Sequence, residues 1–236
     1  MPTLPHPPVH NRKGTLYVVS LPIGNPADIT DRARDILCTA ELILCEDTRI
    51  ARPFLKSIGS EKEAVKLRSR NDIDVIRTAV VALESGTDVA LVSDAGTPLV
   101  SDPGLALVCR ALDGGLAVKA APGASAVLCA LAVSGFSAQR FVFDGFPPRS
   151  RSDRRTFFQS LRSERRTIVL FETKSHLRST IRELATQLGA DRMASVLRNL
   201  TLSDEARYAA SLGDLIIELN PPPAGEYVIV IESAPA

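Results

Sequence analysis

The chain lacks several features that would direct a functional reading elsewhere. It has no tryptophan, and only 5% of its 236 residues are aromatic, an absence that by itself excludes no activity. Its four cysteines, Cys38, Cys45, Cys109 and Cys129, show no CxxC spacing and lie in apolar stretches. That pattern predicts buried free thiols rather than a disulfide framework or a zinc site. The three histidines, His6, His10 and His176, are scattered, so metal catalysis has no support in the sequence. No apolar run reaches the roughly 18 residues that suggest a membrane span. The opening segment MPTLPHPPVHNRKG has four prolines and no signal-peptide core, and it reads as a disordered lead-in over residues 1–13. A cytoplasmic protein is expected. Neither GxGxxG with a downstream acid nor GxxxxGKS occurs, which removes the usual supports for a dinucleotide-dependent dehydrogenase or a P-loop NTPase.

What is present is an ordinary globular composition, 45% apolar and 23% charged, long enough for one large or two small cores. The net charge of +1 conceals an asymmetry. Residues 149–183 hold ten Lys or Arg against four acids, a net of +6, which leaves −5 for the rest of the chain. Such a basic segment suits a polyanionic partner; a solvated helical face is the plain alternative.

Strands and helices alternate through the first half. Apolar runs at 16–19, 41–45, 89–92 and 116–120 read as strands, and amphipathic stretches at 30–39, 48–58, 72–86, 102–112 and 124–134 read as helices. This order predicts a parallel sheet built by right-handed crossovers, and the continuous apolar strands predict a sheet covered on both faces. The pattern resets near residues 134–139. A second, less regular α/β half follows, with strands at 141–143, 167–171, 193–197, 207–209 and 227–231. Domains are therefore expected at 14–133 and 139–236.

In an open parallel sheet, ligands sit at the carboxyl ends of the strands. Three Gly/Pro-rich loops leave strands there: Pro22-Ile23-Gly24-Asn25, Ser93-Asp94-Ala95-Gly96-Thr97-Pro98 and Pro122-Gly123-Ala124-Ser125-Ala126. Gly24, without a Cβ, would let a ligand approach the backbone closely. Backbone amides and carbonyls with one carboxylate suit a ligand carrying an amine, a ribose and a purine better than a phosphate. Glu46-Asp47-Thr48-Arg49 also leaves an apolar strand. It could supply a general base with its positioning partner, or it could be a helix N-cap with a local ion pair.

Together these loops resemble the tetrapyrrole methylase superfamily, and most of all its branch that 2′-O-methylates a cytidine of small-subunit ribosomal RNA, the ribosomal RNA small subunit methyltransferase I family. The resembling pieces are LYVVSLPIGNPADIT (16–30), EDTR (46–49), VALVSDAGTPLVSDPG (89–104), APGASA (121–126), DGF (144–146) and GEYVIVIE (225–232). The resemblance implies two α/β domains, a mostly parallel N-terminal sheet and a mixed C-terminal one. It also implies S-adenosylmethionine in the interdomain cleft, no metal, and a homodimer. Carried over by position, Pro22, Asp94, Gly96, Thr97, Ser125, Ala126, Phe171 and Leu200 would bind the cofactor. Glu46, Asp47 and Arg49 would be catalytic, and Asn71, Arg151, Arg154 and Arg155 would meet RNA.

Departures touch the substrate side. Where the family shows L-x-x-x-N-E, this chain has Leu67-Arg68-Ser69-Arg70-Asn71-Asp72, and where it shows R-E-L-T-K, this chain has Arg198-Asn199-Leu200-Thr201-Leu202. A glutamate is replaced by a neutral amide and a lysine by an apolar residue, and the sequence stops soon after GEYVIVIE. Besides ribose methylation of RNA, two other readings stand: methylation of a small tetrapyrrole-like molecule, and a relative that binds S-adenosylmethionine or RNA without turnover.

Overall fold

The computed structural model describes residues 12–67 and 72–234. Most of the expected lead-in (residues 1–11), and Asn71 with it, lie outside the described residues. The chain divides into two compact units. One comprises the residues through Pro22 together with Ala27–Ala124, the other Ile23–Pro26 together with Ser125 onward.

The first unit carries strands β1 (Thr15–Val19), β2 (Leu42–Cys45), β3 (Ala64–Lys66), β4 (Val89–Leu91) and β5 (Ala117–Ala121) in the order β3-β2-β4-β1-β5, every pair parallel. Helices α1 (Asp31–Thr39), α2 (Thr48–Ser57), α3 (Ile73–Glu84) and α4 (Leu105–Asp113) connect them. Alternation along each strand divides the core between two faces. Ile43 and Ala90 join Leu37 and Leu55 of α1 and α2, while Leu44, Val89 and Leu91 join Leu83 and Leu107 of α3 and α4. The central strands are thus covered on both sides, which is why their sequences are unbroken apolar runs. β5 departs from this expectation, because it is an edge strand with Ala117, Lys119 and Ala120 exposed. The short strand β3 has no sequence signal of its own: Ala64-Val65-Lys66 is too short to show a period, and pairing with Ile43–Cys45 recruits it.

Local chemistry fixes the helix starts. Thr30 Oγ1 accepts the Ala33 N–H at 3.1 Å, and the Asp47 carboxylate accepts the Arg49 N–H at 2.9 Å; both are N-caps of the kind that contributes about 1 kcal/mol. Helix α4 begins later than its sequence suggests. Gly104 sits at φ 121°, so Asp102 and Pro103 belong to the preceding turn. The cysteines are all free, but Cys109 faces solvent from the outer side of α4 and only Cys45 is fully buried.

The second unit has strands β6 (Phe141–Phe143), β7 (Thr167–Thr173), β8 (Met193–Arg198), β9 (Ala206–Ser211) and β10 (Glu226–Ile231), ordered β6-β7-β10-β8-β9. Only β6 and β7 pair in parallel; β10 runs antiparallel to both neighbours, and β9 to β8. One face packs on α6 (Arg151–Ser160), α7 (Lys174–Leu188) and α8 (Leu212–Glu218) through Phe158, Ile181, Leu215, Ile168, Ile229 and their neighbours. The segment α5 (Ala126–Ser134), expected with the first half, packs on β8 and β10. The Arg207 guanidinium secures its end, donating to Ser134 O at 2.8 Å and to Ser195 Oγ at 3.1 Å. Among the described residues no helix is long and apolar enough to cross a membrane.

Candidate active site

In the first unit, the loops leaving β1, β4 and β5 are joined by hydrogen bonds beyond the ends of the strands. Leu21 N–H donates to Gly96 O at 2.8 Å and Gly96 N–H returns to Leu21 O at 3.1 Å, with a longer contact to Pro22 O. Ser20 N–H reaches Ala121 O, and the Ser20 hydroxyl donates to Thr97 Oγ1, which donates to Ala124 O, each at 3.1 Å. A Cβ on Gly123 would stand 2.9 Å from Ser20 Cβ, so the residue must be glycine for the two loops to lie this close. Pro22, Gly96 and Thr97 are therefore brought side by side.

The β4 loop is tightly wound. Gly96, Leu99, Ser101 and Gly104 all have positive φ, 72°, 73°, 74° and 121°. Two of these are not glycine, a conformation that costs about 1–3 kcal/mol each and gathers at functional sites. The winding carries Asp94 and Asp102 to the end of β2. Asp94 Oδ1 accepts the Asp47 N–H at 3.0 Å. Burial pushes the Asp102 carboxyl up to about 6, with the Glu46 charge adding to it. Burial, then Asp94, raises Glu46; burial likewise raises Asp94. Beside them the buried Cys45 thiol is pushed up to about 11. Lys66, at the end of β3, offsets part of this negative field, and Arg49 does so at Asp94.

The EDTR segment separates into two parts. Asp47 caps α2 and binds the Arg49 guanidinium through both carboxylate oxygens, and this partnership holds its carboxyl far below the usual range. Asp47 and Arg49 thus take the capping and local-pairing role. Glu46, half-buried and raised, keeps the properties of a proton acceptor. Sequence reasoning passed over Asp102 and Lys66. The Asp-Pro-Gly turn at 102–104 was the only sign of Asp102, and the three-residue strand β3 gave no sign of Lys66.

In the second unit, Ser125 caps α5, its Oγ accepting the Leu128 N–H at 3.5 Å, and Ala126 is the first helical residue. Phe171 packs against Phe143 edge-on at 4.7 Å and against Phe146 at 5.4 Å. Leu200 is buried in a turn whose neighbours Asn199 and Thr201 have φ 51° and 68°. Gly24 meets this turn: a Cβ there would lie 2.7 Å from Leu200 O and 2.8 Å from Thr201 Oγ1, and Asn25 N–H donates to that hydroxyl at 3.0 Å. The space beside Gly24, expected to admit a ligand, is filled by the protein's own 200–202 turn.

The basic segment is also sorted by the fold. Arg151 and Arg155 are exposed on α6. Arg154 turns inward: it pairs with Glu183 at 2.8 Å, donates to Thr180 Oγ1 at 2.5 Å and lies 4.9 Å above the Phe158 ring. Its expected contact with RNA gives way to a packing role, because a guanidinium so paired has little left for a phosphate.

A family model described as Tetrapyrrole (Corrin/Porphyrin) Methylases matches residues 15–216. The chain belongs to that family. It is a methyltransferase, and the methyl donor of tetrapyrrole methylases is S-adenosylmethionine. Relatives named "Ribosomal RNA small subunit methyltransferase I" include that of Xylella fastidiosa strain Temecula1, 39% identical with 94% of this chain and 82% of the relative covered. The Escherichia coli O157:H7 protein of that name is 34% identical, with 96% and 80% covered. Among solved structures, a diphthine synthase superposes with TM-score 0.71 at 19% identity, covering 92% of this chain and 89% of that one. The uroporphyrin-III-C-methyltransferase of Thermus thermophilus gives 0.67 at 20% identity, covering 92% and 94%. These two likenesses concern the fold of the tetrapyrrole methylases. The donor set in this member fits the family's cofactor: the clustered carboxylates Glu46, Asp94 and Asp102 make a negative field that favours a sulfonium and an ammonium over a phosphate.

Proposed function

We propose that this chain transfers a methyl group from S-adenosylmethionine to the 2′-hydroxyl of a cytidine in small-subunit ribosomal RNA. The observation that carries the reading is similarity over about nine-tenths of the chain to relatives named for ribosomal RNA, in a protein that also presents exposed arginines on α6. Pro22, Asp94, Gly96 and Thr97 of the first unit would hold the cofactor, and so would Ser125, Ala126, Phe171 and Leu200 of the second. Bound there, S-adenosylmethionine supplies an electrophilic methyl group.

The protein's own groups orient the acceptor hydroxyl and exclude water. A ribose hydroxyl is a poor acid, so a proton acceptor beside it is required. Glu46 takes this role, because its raised carboxyl holds a proton more firmly than an exposed glutamate. Asp94 and Asp102 sustain the negative field that favours a cationic cofactor, and Lys66 limits it. Arg151 and Arg155 would contact the RNA backbone, a sequence-independent attraction that weakens with salt.

The protein would act in the cytoplasm as a homodimer. The exposed stripe Leu105, Cys109 and Leu112 on one face of α4 favours self-association, and molar mass in solution tests it. The decisive assay supplies methyl-labelled S-adenosylmethionine with ribosomal subunits, free ribosomal RNA or low-molecular-weight extract. Label in RNA that maps to a ribose supports the reading. Label in small molecules alone turns it toward tetrapyrrole-type chemistry, and S-adenosylmethionine binding without transfer turns it toward a non-catalytic relative.

A further inference from the structure

The loop Asp144–Ser150 is anchored at its start by backbone hydrogen bonds yet presents a large aromatic ring to solvent. Asp144 N–H donates to Val169 O at 3.2 Å, Phe171 N–H donates to Gly145 O at 2.9 Å, and Pro147 is buried. Phe146 nevertheless keeps 51% of its surface exposed. Its ring is supported on one side by Phe171 at 5.4 Å, itself backed by Phe143. β6, β7 and β8 all point the same way, since β6 is parallel to β7 and both β7 and β8 oppose β10. The loops leaving them therefore share one end of the second sheet, and this end carries Phe171 and Leu200.

Exposed arginines flank the ring along the chain. Arg149 and Arg151 follow Phe146 within five residues, no more than about 18 Å of extended backbone, and neither has a carboxylate within ion-pair distance among the described residues. A supported aromatic face next to unpaired guanidinium groups matches one chemistry in particular: a planar base joined to phosphates. A duplex would not free a base for the ring.

We propose that Phe146 stacks on an unpaired nucleobase of the RNA substrate while Arg149 and Arg151 hold the flanking phosphates. This deepens the RNA reading above and rests on it. The chain's lack of tryptophan supplies the test, because Phe146→Trp introduces a single indole at the site. Titration with a short cytidine-containing single-stranded oligoribonucleotide should quench its emission, and the same strand in a duplex should not. Phe146→Ala should weaken binding of that oligonucleotide about tenfold, equivalent to about 1.4 kcal/mol, with the salt slope unchanged. Phe146→Tyr should restore it, and Arg149→Glu with Arg151→Glu should flatten the salt slope. If wild type binds and methylates RNA while the Trp emission ignores it, or responds only to S-adenosylmethionine, the stacking role is overturned and the RNA reading stands. The same holds if Phe146→Ala binds within twofold of wild type. If wild type neither binds nor methylates RNA, both fall. Thermal unfolding of each variant shows whether the loop still folds, and the Phe146→Trp titration decides the question if Phe146→Ala fails to fold.

Discussion

Replacing Gly24 by alanine separates two roles for the PIGN loop, ligand approach and loop packing. An added Cβ would stand 2.7 Å from Leu200 O, 2.8 Å from Thr201 Oγ1 and 2.9 Å from Leu202 Cγ. Leu202 is 43% exposed and its side chain has room to swing away. The other two contacts cannot yield so easily. Thr201 Oγ1 accepts the Asn25 N–H at 3.0 Å, and Thr201 N–H donates to Glu205 at 2.6 Å. Overpacking against fixed neighbours costs about 1–3 kcal/mol. At about 2–4 °C per kcal/mol for a chain of this size, the melting temperature should fall by roughly 2–12 °C. Circular dichroism melting reads the loss, and calorimetry with S-adenosylmethionine reads cofactor affinity in parallel. A Gly24→Ala protein that melts like wild type but binds the cofactor poorly would refute the packing account and restore the ligand-approach role.

Other expectations follow from the same geometry. Asp102 has a folded pKa of about 6, above its unfolded value near 3.9, so its contribution is fully present below about pH 4 and is lost as pH rises through 6. Asp102→Asn should therefore melt higher than wild type at pH 8, by about 1–2 kcal/mol after allowing for partial solvent exposure, and converge with it at pH 4; destabilisation at pH 8 would contradict this. Arg154→Ala should cost about 2–3 kcal/mol of stability through the lost Glu183, Thr180 and Phe158 contacts yet leave RNA affinity unchanged, whereas Arg151→Glu with Arg155→Glu should do the reverse, as melting and filter binding would show. Glu46→Gln should lower kcat by about 10²–10⁴ with little change in cofactor affinity, and wild-type activity should rise with pH as this raised carboxyl ionises. Asp47→Asn should chiefly lose stability, because an amide keeps the cap but not the Arg49 pair.

How much of this could be read from the sequence follows from the range of each interaction. The parallel sheet was legible because Leu16–Val19, Leu42–Cys45 and Val89–Leu91 are buried on both faces and so leave unbroken apolar runs. The cap at Asp47 was legible because capping is decided within four residues. The Arg154 pairing was not, since Glu183 lies 29 positions away and nothing local distinguishes Arg154 from Arg155. Nor was the assembly of Glu46, Asp94 and Asp102, which depends on left-handed backbone at Leu99 and Ser101, residue types that seldom adopt it. Gly24 was misread for a related reason: a missing Cβ announces a close approach, but only the fold says what approaches.

The same distinction bears on the departures at Asn199 and Leu202. A glutamate at position 199 would bring a carboxylate to a neighbourhood that already holds one. Here the Asn199 amide donates to both oxygens of Asp204, at 3.1 and 2.9 Å, while its carbonyl accepts the Glu226 N–H at 3.0 Å. Arg198 also pairs with Asp204, at 2.9 Å, and these partners hold the Asp204 carboxyl below its usual range. Asparagine further tolerates the left-handed backbone at φ 51° better than glutamate does. An acid thus stands in the turn at residue 204, held by Asn199 and Arg198. Leu202 preserves the packing that a lysine stem would provide against Gly24 and drops only the ammonium. Both changes are absorbed within the turn that buries Leu200. The case for turnover therefore depends on Glu46 and its carboxylate neighbours in the first unit.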